Sequence, residues 1–469
     1  MKKSRKFLIV FIVLVLLIIS YIYSSKLVLW RDDAQQWLLC RELNFFQLLS
    51  QLKYEGHPFF WYIFIYLFQI LGFSFEQIRI LPFIISLLGI LIFLFRVELP
   101  LYFKIIVSFS ASVICYSIVL ARSYSLCFLL VILLLVVYKK RKENVLIYNL
   151  LLGLLLNTHI LMAGFVGSLF LLEIYEYFKS DDLKTKVKVK GGILLFLIFL
   201  VFLFYQMCGN NGVVQVENKN FFDTFFLFLS NILAYFYYQS NNIFLTFIMF
   251  LLVLVQFLIF IKKRSYKVVF IFSISWLYLL VVHTFIYGLS NYMSCIFYFI
   301  FLVCIFIFYL DSGNINTKKL LIIPGTILFI ITVFGVFSNY KIIKFDFDNA
   351  KVIAKYIENN LDENKNIYCI NTPICSTIIP YVENYKFINL NNNKRFTYIN
   401  WGEKNIYNKY LNEDDYQYLL KNSGYYIHVP MEKKDKYLEI LKKKNRLKLV
   451  TKSDKYISNG EVYELYLIS

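Results

Sequence analysis

The sequence predicts a polytopic α-helical membrane protein with about eleven transmembrane helices, additional juxtamembrane helices and a C-terminal extracytoplasmic α/β domain. Three observations predict it. Of the 469 residues, 59% are hydrophobic, above the ~45–50% of soluble domains. The excess falls in blocks of roughly 17–25 residues, the length that crosses a hydrocarbon core of about 30 Å. Short Lys/Arg runs separate these blocks, and after about Lys341 no block is long enough to span. The chain therefore divides into a membrane part, 1–340, and a soluble part, 341–469.

Charge placement threads the chain. Met1-Lys2-Lys3-Ser4-Arg5-Lys6 precedes an apolar run too long for a cleaved signal, so helix 1, about 7–29, reads as an uncleaved anchor starting in the cytoplasm. Residues 30–76 form an outer loop. Helix 2, about 77–95, leads to a cytoplasmic turn marked by Arg96 and Lys104. Helix 3, about 105–120, returns Arg122 outside, and helix 4, about 124–138, ends at Lys139-Lys140-Arg141-Lys142 inside. Helices 5 and 6 cover about 145–178 and break at Asn157-Thr158-His159 outside. Helix 7 is about 191–207, helix 8 about 242–261, helix 9 about 267–287, helix 10 about 294–310 and helix 11 about 320–338. Two further apolar stretches, Pro58–Gly72 and Phe221–Tyr238, would invert the strongest basic loops if they spanned. They are placed as helices lying in the outer interface, where their aromatic residues belong. The expected location is the plasma membrane, with the C-terminal domain outside.

In the soluble part, Asp348–Asn360 is amphipathic, Ile367–Ile370 and Lys386–Leu390 look like strands, Met431–Lys443 is a charged helix and Val462–Ile468 a last strand. Cys369 and Cys375 either pair there or stay as two thiols. The net charge of +19 belongs to the cytoplasmic loops. No nucleic-acid-binding motif accompanies it, so no nucleic-acid partner is expected. No Cys-x-x-Cys occurs, which leaves zinc-ribbon and thioredoxin chemistry unsupported.

The chemistry-bearing residues gather on the predicted outer side. Asp32 and Asp33 follow helix 1; Glu55 and His57 lie in Tyr54-Glu55-Gly56-His57-Pro58; Arg122 separates helices 3 and 4; His159 separates helices 5 and 6. Taken singly, each has a plain explanation: a solvated helix end, a turn, a snorkelling Arg, a packed His. Together, carboxylates, Arg and His converging at one membrane face mark a functional site. Neighbouring carboxylates raise each other's proton affinity, which suits a base, and the Arg fork suits a phosphate.

These residues resemble the GT-C superfamily of lipid-phosphate-sugar-dependent glycosyltransferases, in particular its aminoarabinose transferase and protein O-mannosyltransferase branch. The matching elements are Trp30-Arg31-Asp32-Asp33 after the first helix, Gly56-His57-Pro58-Phe59-Phe60-Trp61-Tyr62, Arg122-Ser123-Tyr124 and Thr158-His159. The likeness is good over roughly 1–180 and only of layout beyond. Phe59 stands where the family has a second Pro, and Asn291 where it has an Arg near Tyr292. The resemblance implies a polyprenyl-phosphate sugar donor and a glycan, lipid or protein acceptor with membrane lipids around. Asp32 and Asp33 would be catalytic, His57, Arg122 and His159 would bind the donor phosphate, and Glu55, Tyr124, Asn291 and Tyr292 would line the cavity. No cofactor is required; a divalent metal, held by Asp32 and Asp33, stays open. A lipid phosphate leaves without a general acid, so a base and cations suffice for one inverting displacement. The rival classes are a lipid-linked-glycan transporter or flippase, a glycan ligase or polymerase, and a passive membrane anchor.

Overall fold

The computed structural model describes residues 3–26, 29–179, 183–207, 223–225, 227–229, 243–286, 292–312, 321–330, 349–402, 408, 410–430, 435–453 and 462–469. The membrane part contains α1 (Lys3–Lys26), α2 (Arg31–Glu42), α3 (Phe45–Gln51), α4 (Phe60–Ile70), α5 (Ile80–Arg96), α6 (Leu101–Ser108), α7 (Tyr124–Tyr138), α8 (Val145–Leu156), α9 (Ala163–Lys179), α10 (Leu183–Met207), α11 (Ile243–Lys262), α12 (Tyr266–Val281) and α13 (Tyr292–Asp311). Each of the first ten predicted membrane helices has its counterpart; of the eleventh, residues 322–330 are helical. Among the described residues, five helices are long and apolar enough to cross a membrane unaided, six counting one bent pair. Two of the other counterparts are shorter: α7 has 15 residues and α8 has 12, about 18 Å. Large side chains on the rim of the bundle, such as Phe7, Phe11, Leu194 and Val201, are exposed, as a lipid-facing surface requires.

The bent pair explains how Arg122 is presented. α6 and the π-helical stretch Ser112–Val119 meet at 53°. A break frees backbone carbonyls that lipid cannot satisfy, and serine hydroxyls take them: Ser110 Oγ donates to Val107 O, Ser117 Oγ to Ser112 O and Ser86 Oγ to Ser117 O. The π stretch stops at Leu120, whose carbonyl accepts the Arg122 N–H at 2.8 Å, and α7 starts two residues later. Lys104, expected to mark a cytoplasmic turn, is 2% exposed and donates to Leu94 O at the end of α5. It caps a helix C-terminus. Gly153 of α8 packs so closely on the Phe199 ring of α10 that a Cβ would clash.

The segment 30–76 is largely helical. α2 is held at its start by Asp33, whose Oδ2 accepts the Trp30 N–H at 2.9 Å, while Asn44 and Gln47 cap α3 reciprocally. α4, the first of the two expected juxtamembrane helices, has 11 residues, about 17 Å, close to α8 in length. The other such stretch, Phe221–Tyr238, is described only at 223–225 and 227–229, which are helical.

The C-terminal domain is α/β. Its strands β1 (Asn366–Cys369), β2 (Lys386–Asn389), β3 (Lys394–Arg395), β4 (Gly424–His428), β5 (Leu447–Lys452) and β6 (Glu464–Ile468) order as β3-β2-β1-β4-β6-β5. β1 runs parallel to β2 and β4, and the remaining pairs are antiparallel. Helices α14 (Ala350–Asn360), α15 (Glu413–Lys421) and α16 (Lys436–Lys443) cover the sheet. Cys369 and Cys375 are joined by a disulfide. The expected boundary at 340/341 lies outside the described residues.

α2 is shared between the two parts. Trp37 and Cys40 bury into the membrane bundle, whereas Leu38, at 0% exposure, belongs to the core of the C-terminal domain with Ile353, Ile357 and Phe387. The exposed clamps Arg41–Glu383 and Lys351–Glu76 add little beside this apolar contact.

Candidate functional site

Four chain segments converge at the end of the bundle that carries α2, α3 and α4. α2 begins with Arg31, Asp32 and Asp33; the turn after α3 carries Glu55 and His57; the π stretch delivers Arg122; and the break after α8 carries His159. Arg122 Nη2 lies 2.6 Å from Asp32 Oδ2, and its Nε lies 3.8 Å from Asp33 Oδ1. Arg31 Nε reaches Asp32 Oδ1 at 3.3 Å. Both guanidiniums lie over the Trp30 ring, at 5.5 Å for Arg31 and 5.8 Å for Arg122. The His57 and His159 rings meet edge to face at 5.7 Å, and Tyr124 lies 5.3 Å from His159.

The two aspartates have different jobs. The Asp33 side chain is 2% exposed and spends one oxygen on the α2 cap. The Asp32 side chain keeps 31% exposure, so it faces open space although both its oxygens meet guanidiniums. Burial opposes the charge on Asp32, but Arg122, Arg31 and His57 outweigh it and hold its proton affinity below the usual carboxylate range. Burial dominates at Asp33 and raises its affinity, with the Asp32 charge adding to it against Arg122 and the Trp30 N–H. The mutual raising expected of the pair therefore falls on Asp33 and not on Asp32.

Glu55 is pushed up to about 8, first by burial and further by the Asp32 charge, against donors from Gln35, Gln51 and Trp401. His57 is pushed down to about 4 by burial and by the Arg122 charge, with Asp32 opposing. It was expected to offer positive charge to a phosphate. Near neutral pH it is instead a neutral ring whose Nδ1 is buried with no hydrogen-bond partner among the described residues. It can serve as a hydrogen-bonding group, and positive charge comes from Arg122 and from Arg31. His159 uses Nδ1 to accept the Leu161 N–H at 3.3 Å, which fixes the turn entering α9. Tyr292 opens α13, and Asn291 lies outside the described residues. Among the described residues no three His, Cys, Asp or Glu side chains converge as a metal would need, and Arg122 already occupies the Asp32–Asp33 pair.

Sequence reasoning missed the supports. Gln206 of α10 is fully buried. Its Oε1 accepts the Phe59 N–H at 2.7 Å and its Nε2 donates to Asn157 Oδ1 at 3.0 Å. Asn157 O accepts the Phe60 N–H. These contacts satisfy the first amides of α4 and tie the His57 turn to the His159 break. One polar residue inside the apolar run of α10 was the available signal. Gln206→Leu keeps volume but strands a buried N–H and a buried amide. It should cost about 1–3 kcal/mol, measured as a lower melting temperature in detergent; an unchanged melt would mean that water replaces the network.

No protein-family model matches the sequence, and no curated protein matches it. Among solved structures, the fold is similar to that of ArnT from Cupriavidus metallidurans in the apo state, with a TM-score of 0.55 and 11% identity over 99% of this chain and 98% of that one. It is also similar to ArnT from Cupriavidus metallidurans bound to undecaprenyl phosphate, with a TM-score of 0.51 and 12% identity over 97% of each chain. The likeness therefore includes the C-terminal domain. It shows the fold: a multi-pass membrane bundle with an α/β appendage.

Proposed function

We propose that this chain is a membrane glycosyltransferase that moves a sugar from a polyprenyl-phosphate donor to an acceptor hydroxyl at the outer face of the membrane. One observation carries the reading. Two guanidiniums, on Arg31 and Arg122, face at most two carboxylate charges, and the raised proton affinity of Asp33 tips the balance toward positive. The result is an anion-attracting spot beside an accessible carboxylate, at the end of a lipid-embedded bundle. The fold likeness to a protein seen with undecaprenyl phosphate supports the same reading.

In the proposed reaction the acceptor oxygen attacks the anomeric carbon from the side opposite the phosphate. The carbon–oxygen bond to phosphate breaks, and its electron pair leaves on the polyprenyl phosphate, which Arg122 and Arg31 stabilise. The hydroxyl proton goes to Asp32, and the anomeric centre inverts. Pairing with Arg122 makes Asp32 a weak base as long as Arg122 is engaged with it. A donor phosphate competes for the same guanidinium fork. As it engages Arg122, Asp32 loses counter-charge and its proton affinity rises when the acceptor hydroxyl needs it. No step is routed through a metal.

Binding tests this directly. Purified protein in detergent should bind radiolabelled undecaprenyl phosphate, and unlabelled undecaprenol, which lacks the phosphate, should fail to displace it. Equal displacement by undecaprenol would leave only a greasy groove and would remove the proposal.

A further inference from the structure

The segment Ile399–Gly402 of the C-terminal domain reaches into the site described above. Gln35, one turn along α2 from Asp32, is 4% exposed. Its Nε2 donates both to Glu55 Oε1 at 2.9 Å and to Ile399 O at 2.7 Å, and its Oε1 accepts the Ile399 N–H at 2.8 Å. Gln51 donates to Asn400 Oδ1 at 3.1 Å. Gly402 lies against the Tyr54 ring, where a Cβ would be crowded. The Gln35 amide that donates to the Glu55 carboxyl is therefore held at both its nitrogen and its oxygen by the backbone of the other domain. A surface contact made only for docking has no need to fix the donor to a carboxyl beside the proposed base.

We propose that the C-terminal domain is a working part of the site: Ile399 locks the amide of Gln35, a positioning residue that fixes the Glu55 carboxyl beside Asp32. Held there, Glu55 offers an oriented oxygen to an acceptor hydroxyl arriving from the side that this domain covers. The catalytic meaning rests on the transferase reading; the geometry does not. The titratable groups that face Glu55 are Asp32 from α2 and Tyr62 from α4. Lys53 of the same turn lies over the Tyr54 ring, 4.9 Å from its centre, and α3 and the C-terminal segment present the neutral Gln51 and Trp401.

The test needs no knowledge of the sugar. Dicyclohexylcarbodiimide adds a protonated carboxyl across its N=C bond, and mass spectrometry of peptides locates the adduct. In the full-length protein, labelling of Glu55 should fall off as pH rises through about 8. Ile399→Pro removes the N–H that holds the Gln35 amide, and Gln35→Met removes the donor to Glu55 itself. In both variants the midpoint should move up by about one pH unit, tenfold in the ionisation constant. Arg41→Ala cuts the Arg41–Glu383 clamp without touching Glu55 and should leave the midpoint where it was. An unmoved midpoint in Ile399→Pro and Gln35→Met, or an equal shift in Arg41→Ala, overturns the proposal. Undecaprenyl phosphate binding, measured alongside on the wild type, separates the two ideas: its absence removes the transferase reading and leaves the labelling result standing.

Discussion

Asp32→Asn lowers sugar transfer by about 10²–10⁴-fold, the usual contribution of a positioned base, while undecaprenyl phosphate binds as well as before or more tightly. The two halves of this expectation come from one geometry. Asn keeps the shape of Asp and can still accept from Arg122, so the start of α2 should survive. It cannot take the proton of a hydroxyl. Removing the negative charge also releases Arg122, which lies 2.6 Å away, to an incoming anion. A structural lesion would weaken donor binding and transfer together. Asp33→Ala gives the contrast: it removes the oxygen that caps α2 through the Trp30 N–H, and this loss should appear mainly as instability. Transfer from a lipid-linked sugar at the wild-type rate in Asp32→Asn would end the base assignment.

The spanning layout was legible because lipid imposes a coarse rule: long apolar blocks, with basic runs on one side. That rule placed Asp32, Glu55, His57, Arg122 and His159 at one end although Asp32 and His159 lie far apart in the chain. The segments between blocks were less legible. α2 has no apolar stripe, because Trp37 turns to the bundle and Leu38 to the soluble core. A helix shared between two cores loses the period that reveals helices. Likewise β4, Gly-Tyr-Tyr-Ile-His, is buried at every position and shows no alternation to read.

Which groups meet was visible; what each becomes there was not. Adjacent carboxylates suggested one shared perturbation. The structure splits them, because Arg122 and Arg31 hold Asp32 while burial governs Asp33. His57 reads as a cation in sequence, yet burial and the Arg122 charge keep it neutral. Such outcomes depend on solvent access, which no local pattern encodes. The link from Gln35 to Ile399 spans 364 residues, and a π-helical stretch has no side-chain period that marks it. The supports of the site therefore stayed hidden where its charged members did not.

Arg122 is the residue whose removal should cost most, through stability and binding at once. It is 5% exposed and is the closest positive charge to both Asp32 and Asp33. Arg122→Gln leaves the enclosed Asp33 and the more open Asp32 short of counter-charge. Breaking a buried pair from one side costs about 3–5 kcal/mol, and part of this will be relieved by proton uptake on Asp33, whose affinity is already raised. The melting temperature should therefore fall more at pH 8 than at pH 5. Undecaprenyl phosphate affinity should fall with it, because the phosphate loses its fork. Arg122→Lys separates the two effects. An ammonium restores charge next to the aspartates and should recover most of the stability, but its single nitrogen cannot bridge Asp32 and a phosphate as a guanidinium does. The Lys variant should melt near wild type and still bind the lipid phosphate poorly. A Lys variant that binds undecaprenyl phosphate as tightly as wild type would show that the phosphate rests elsewhere, and that Arg122 serves only to neutralise the aspartates beneath it.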